Sequence, residues 1–102
     1  MDYINIKVDK SKVPDQLENN TDKYVDQIEE MLNTYIAKNI DYGNSFSELY
    51  NDYGLLSTVI RLSDKLNRLK RLQKADAEVE ESVEDTLQDL ANYAIMTLIE
   101  EG

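Results

Sequence analysis

Residues 55–74, LLSTVIRLSDKLNRLKRLQK, place apolar side chains at Leu55, Val59, Leu62, Leu66 and Leu69. Such intervals of three and four mark one face of an α-helix, and this is the cleanest helical pattern in the chain. The expectation is an amphipathic helix over about 55–74 with its leucine stripe turned to a core. Arg61, Asp64 and Arg68 fall on the opposite side. Two readings stand for them: a solvated face with intrahelical ion pairs, or guanidinium groups placed for phosphate oxygens.

The neighbouring segments repeat the pattern. Over about 77–100, Val79, Val83, Leu87, Leu90, Ala94 and Leu98 predict a second long helix. Its C-terminal half is apolar on nearly all sides, counting Tyr93, Ile95, Met96 and Ile99, so it is expected to be covered on more than one side. In a chain of 102 residues this points to a homo-oligomer, a dimer or tetramer built around that helix. Upstream, Tyr24, Val25, Ile28, Met31, Leu32, Tyr35 and Ile36 predict a helix over about 21–39 capped by Asn20 or Thr21. Asp41-Tyr42-Gly43-Asn44 reads as a turn in which Gly43 takes positive φ. Ser45 and Glu48 read as a capping box opening a short helix that Gly54 stops.

Ahead of these, Ile4, Ile6 and Val8 alternate with Asn5 and Lys7, the pattern of a short strand or extended arm. Residues 9–20, with the only proline (Pro14) and Asn19-Asn20, read as linker. The predicted architecture is all-α: a small four-helix bundle over residues 21–102, oligomeric, with an extended N-terminal arm over residues 1–20.

Composition narrows the chemistry. Histidine and cysteine are both absent. Disulfides, thiolate nucleophiles, Cys/His zinc sites and a histidine base are therefore excluded. Any metal would be held by oxygen ligands, which suits hard cations such as Mg²⁺ or Mn²⁺. A net charge of −10 disfavours direct nucleic-acid binding and anionic membranes. The polar start MDYINIKVDK is no signal peptide, and a soluble cytoplasmic protein is expected.

The net charge hides a segregation. Residues 55–74 carry Arg61, Lys65, Arg68, Lys70, Arg71 and Lys74 against Asp64, whereas residues 75–102 carry nine acids and no base. Pairing between neighbouring helices, with acids favoured at a helix N-terminus, accounts for Glu78, Glu80 and Glu84. It serves Asp89 less well, because Asp is a poor helix-interior residue and Asp89 lies beyond the first turn. Glu81, Asp85 and Asp89 recur every four residues, and Asn92 follows. On a helix they form one stripe, a candidate site for Mg²⁺ or Mn²⁺ and, through it, a phosphate.

In chain order, Asp41-Tyr42-Gly43-Asn44-Ser45, Arg61-Leu62-Ser63-Asp64-Lys65-Leu66-Asn67-Arg68-Leu69, then Glu81-Ser82, Asp85-Thr86-Leu87 and Asp89-Leu90-Ala91-Asn92-Tyr93-Ala94 resemble one family. It is called nucleotide modification associated domain 1 and is common in bacteriophages and prophages. The resemblance spans about residues 35–100. It implies a nucleotide or modified nucleotide as partner, with Asp41, Tyr42, Arg61, Asp64, Lys65, Arg68 and Asn92 as phosphate- or nucleotide-binding positions. By the same resemblance, Glu81, Asp85 and Asp89 would be the metal-binding ones. A looser similarity runs to MazG-type pyrophosphatases and dimeric dUTPases, whose Mg²⁺ is held by acidic pairs on two helices. Asp85 and Asp89 look like one pair; at the other this chain has Asp64 and then Arg68.

Three functions follow as expectations. The first is Mg²⁺-dependent cleavage of a nucleotide's phosphoanhydride bond, with Tyr42 stacking on the base. The second is a nucleotide-binding, sequestering or counter-defence module without chemistry. The third is an acidic inhibitor that imitates nucleic acid.

Overall fold

The computed structural model describes residues 9–74 and 80–102, and the side chains of all of these except Tyr42, Glu80, Glu81 and Ser82. The expected strand over residues 3–8 lies outside the described residues. A 3₁₀ turn at Lys10–Lys12 precedes four helices: α1 (Asp15–Tyr42), α2 (Ser45–Tyr53), α3 (Leu55–Leu72) and α4 (Glu80–Glu101). The chain is all-α. Among the described residues, no helix is long and apolar enough to cross a membrane. Two compact units divide within α1, one ending at Ala37 and the other running from Lys38 to Gly102.

In the first unit the Asp9 carboxylate caps the 3₁₀ turn, accepting from the Ser11 amide at 3.1 Å and the Ser11 hydroxyl at 2.6 Å. α1 begins at Asp15, six residues before the expected start at Thr21. Pro14 has its φ preset for a first turn and no N–H to leave unsatisfied, while Asp15 and Glu18 complement the N-terminal dipole. Asn19-Asn20 is weak helix former rather than stop, and the helix passes through it.

The second unit contains both glycine corners. The Gly43 N–H reaches the Asn39 carbonyl at 2.9 Å, and Gly43 takes φ +59°, as its turn signature required. α2 starts one residue earlier than a Ser45 cap demands. Asn44 is the N-cap, its carbonyl accepts from the Glu48 amide at 3.0 Å, and no side-chain cap bond forms, so the Ser45–Glu48 capping box is absent. At Gly54 (φ +63°, ψ −148°) the chain turns into α3, and the Ser57 hydroxyl donates to the Gly54 carbonyl at 2.8 Å.

α3 and α4 meet along a polar seam. Thr58 and Thr97 hydroxyls lie 2.8 Å apart, and Thr97 donates to the Tyr93 carbonyl at 2.7 Å. A hydroxyl has one hydrogen, so Thr58 is the donor to Thr97. Ser57, Thr58, Thr86 and Thr97 are buried, and Phe46 is the one buried apolar residue among those described. The leucine stripe of α3 is split: Leu55, Val59 and Leu66 are each at least half exposed, while Leu62 and Leu69 are half-buried. The expected orientation of α3 is thereby corrected in part, because the side carrying Arg61, Lys65 and Arg68 meets α4. α4 also leaves Ile95, Leu98 and Ile99 exposed. Its C-terminus is tied to α2 by the Ser47 hydroxyl donating to Glu100 and the Tyr50 hydroxyl donating to Glu101. The hydrogen bond to Glu101 pushes the Tyr50 phenol up to about 12.

Candidate functional site: a cationic groove on α3

Along the side of α3 next to Tyr93 runs an open groove of about 780 Å³. Its walls are Arg61, Asp64, Lys65, Asn67, Arg68, Lys70, Arg71 and Tyr93. Five cations thus face one carboxylate on a chain whose net charge is −10. Helical spacing explains the convergence: Arg61, Asp64, Lys65, Arg68 and Arg71 follow one another at intervals of one or three residues, which places them along one side of the helix.

Three of the cations are positioned from α4 or α2. The Arg61 guanidinium carbon is 5.3 Å from the Phe46 ring centroid and 5.4 Å from that of Tyr93. The two rings stack at 6.2 Å with 11° between their planes. Cation–π attraction to both rings holds the guanidinium without consuming its hydrogen-bond donors. Arg68 Nε donates to the buried Thr86 hydroxyl at 3.2 Å, a neutral partner. Lys65 Nζ lies 2.9 Å from one oxygen of Asp89.

Asp89 holds a second lysine, Lys38 Nζ, at 2.5 Å from its other oxygen. Its side chain is only 16% exposed, so the carboxylate sits largely out of water between two ammonium groups. Burial raises the Asp89 pKa, but hydrogen bonds and charge from Lys38 and Lys65 outweigh it and leave it below its ordinary value. The hydrogen bond to Asp89 raises Lys38 in turn, and the nearby charge of Asp85 adds to this.

The other named positions are less concentrated. Asp64 is exposed on the groove wall, Asp85 is exposed one turn before Asp89, and Asp41 is exposed away from the groove lining. Asn92 is half-buried and does not line the groove. The side chains of Tyr42 and Glu81 lie outside the described residues. Among those described, no three carboxylates come together as a cation site, and both Asp89 oxygens are engaged by lysines. The described residues by themselves therefore form no three-carboxylate cation site.

Lys38, Phe46, Lys70, Arg71 and Tyr93 were missed as site residues. Lys70 and Arg71 were present in the basic charge of residues 55–74, and Tyr93 stood beside the Asp89 motif. Lys38 had no local signal, since it meets Asp89 across 51 residues of chain.

Residues 38–100 match the family model described as nucleotide modification associated domain 1, a span that coincides with the second compact unit and contains the whole groove. No curated protein and no solved structure gives a match.

Proposed function

The chain belongs to the nucleotide modification associated domain 1 family, and on that premise we propose that it binds a nucleotide or modified nucleotide by its phosphates in the α3 groove. The observation that carries this reading is the convergence of Arg61, Lys65, Arg68, Lys70 and Arg71 on one groove of an otherwise acidic chain. Arg61 and Arg68 keep donors free for the bidentate contacts that guanidinium makes with phosphate. Tyr93 adds a ring at the groove's edge for the sugar or base.

A second reading, Mg²⁺- or Mn²⁺-dependent hydrolysis, draws support from Asp85, exposed one turn before Asp89 with Glu81 a further turn ahead. A divalent ion there would supply an activated water. Thermal shift and product analysis with a panel of nucleoside triphosphates separate the two. Stabilisation in EDTA without turnover supports binding. Turnover that requires metal and is lost in Asp85→Asn supports hydrolysis. No shift and no product removes both.

We propose further that copies of the chain associate through the outer faces of α3 and α4. Leu55, Leu56, Val59 and Ile60 on one and Ile95, Leu98 and Ile99 on the other are exposed, while Phe46 alone of the described apolar residues is buried. A chain this short has little margin for leaving so much apolar surface in water. Light scattering after size exclusion tests it: a monomeric mass at micromolar concentration ends the proposal.

A further inference from the structure

Lys65 stands in two places at once. Its ammonium group is 2.9 Å from Asp89, and its side chain forms part of the groove wall. Lys38 holds the other Asp89 oxygen at 2.5 Å and is not part of that wall. An anion in the groove and the Asp89 carboxylate therefore call on the same cation. Arg61 and Arg68 differ from Lys65, because rings and a hydroxyl hold them and, among the described residues, neither is in a salt bridge.

We propose that Asp89 is a built-in competitor of the ligand's phosphate for Lys65, and that Lys38 is the positioning residue that lets Lys65 go. The inference rests on the groove being the phosphate site. Taking Lys65 away from a carboxylate that is 16% exposed would strand a poorly hydrated charge if no other cation held it. Lys38 removes that penalty, since Asp89 stays paired while Lys65 swings to the ligand. Asp89 thus sets affinity downward, and Lys38 sets it upward without touching the ligand.

Titration calorimetry with inorganic pyrophosphate, on the full chain in EDTA, tests this. Asp89→Asn is expected to bind about fivefold tighter than the parent, and Lys38→Met about fivefold weaker. In the double variant the Lys38 effect should vanish, because its route runs through Asp89. Glu84→Gln, an exposed change of the same charge on α4, controls for net charge and should leave affinity within twofold. If the parent does not bind pyrophosphate, the groove reading itself falls. If the parent binds but Asp89→Asn binds no tighter than Glu84→Gln, the competitor role is overturned. If Lys38→Met weakens binding equally in the Asp89→Asn background, Lys38 contacts the ligand and its positioning role is overturned. Should Asp89→Asn not fold, Asp89→Ser replaces it with the same sign expected.

Discussion

The seam between α3 and α4 and the outer faces of the same helices divide the chemistry of the molecule unequally. Thr58, Thr86 and Thr97 are enclosed in the seam, with Arg61, Lys65 and Arg68 reaching across to α4, while Leu55, Val59, Leu98 and Ile99 stand outside. Hydrogen bonds and ion pairs need mutual orientation, which two helices of one chain can supply. Apolar contact is less directional, so it is the kind of cohesion that can be left to a second surface. The contrast teaches that a single copy organises the groove by polar contacts and leaves much of its described apolar surface exposed.

The largest expected effect comes from the one apolar side chain the seam does enclose. Phe46→Ala should destabilise the chain by about 3–5 kcal/mol in urea unfolding, and it would loosen Arg61 as well. A cost below about 1 kcal/mol would mean that the apolar plug is unimportant and the seam holds by polar contacts alone. Next comes the hydroxyl chain. Thr97→Val should cost about 2 kcal/mol, because the Thr58 hydroxyl is left buried without its acceptor. Thr58→Val should cost less, since Thr97 still donates to the Tyr93 carbonyl.

On the outer face the contrast can be broken outright. Val59→Ser should change stability by less than about 0.5 kcal/mol if that face meets only water. We expect about 1 kcal/mol, together with loss of the dependence of melting temperature on protein concentration. The smallest effects are those of pH. Asp89 has a lowered folded pKa, so its contribution is complete above its unfolded value and is lost as pH falls through the folded one. Lys38 and Tyr50 have raised values, so theirs are complete below the unfolded pKa and fade as pH climbs, for Tyr50 between roughly 10 and about 12. Urea midpoints should drop at both extremes for the parent, and Tyr50→Phe should flatten part of the alkaline side.

Much of the fold was readable from periodicity. Leu55, Val59, Leu62, Leu66 and Leu69 mark α3 whichever way it faces, and Gly43 and Gly54 mark the corners because few other residues accept their backbone angles. Direction was harder: a leucine stripe announces that something covers it, not that the same chain does. That is why α3 was expected with its cationic side outward. α1's early start escaped because Asn19-Asn20 resembles a break in isolation, whereas Pro14 just ahead starts the helix. Arg61, Lys65 and Arg68 were legible as a set since one helix carries them. Their fixing was not, because Phe46, Thr86 and Asp89 arrive from distant positions and no local pattern records a tertiary meeting.

The corner at Gly54 carries a consequence in handedness. Its angles, φ +63° and ψ −148°, are the mirror image of the extended polyproline conformation that ordinary residues adopt freely. An added L-side chain would meet nothing within 4 Å, so the bar against Gly54→Ala is conformational rather than steric. Here the backbone follows the opposite chirality from its neighbours. A D-alanine introduced there by chemical synthesis would find the corner in its own preferred region. It would give up less freedom than glycine on folding, and so hold α2 and α3 at their angle more firmly than any encoded amino acid.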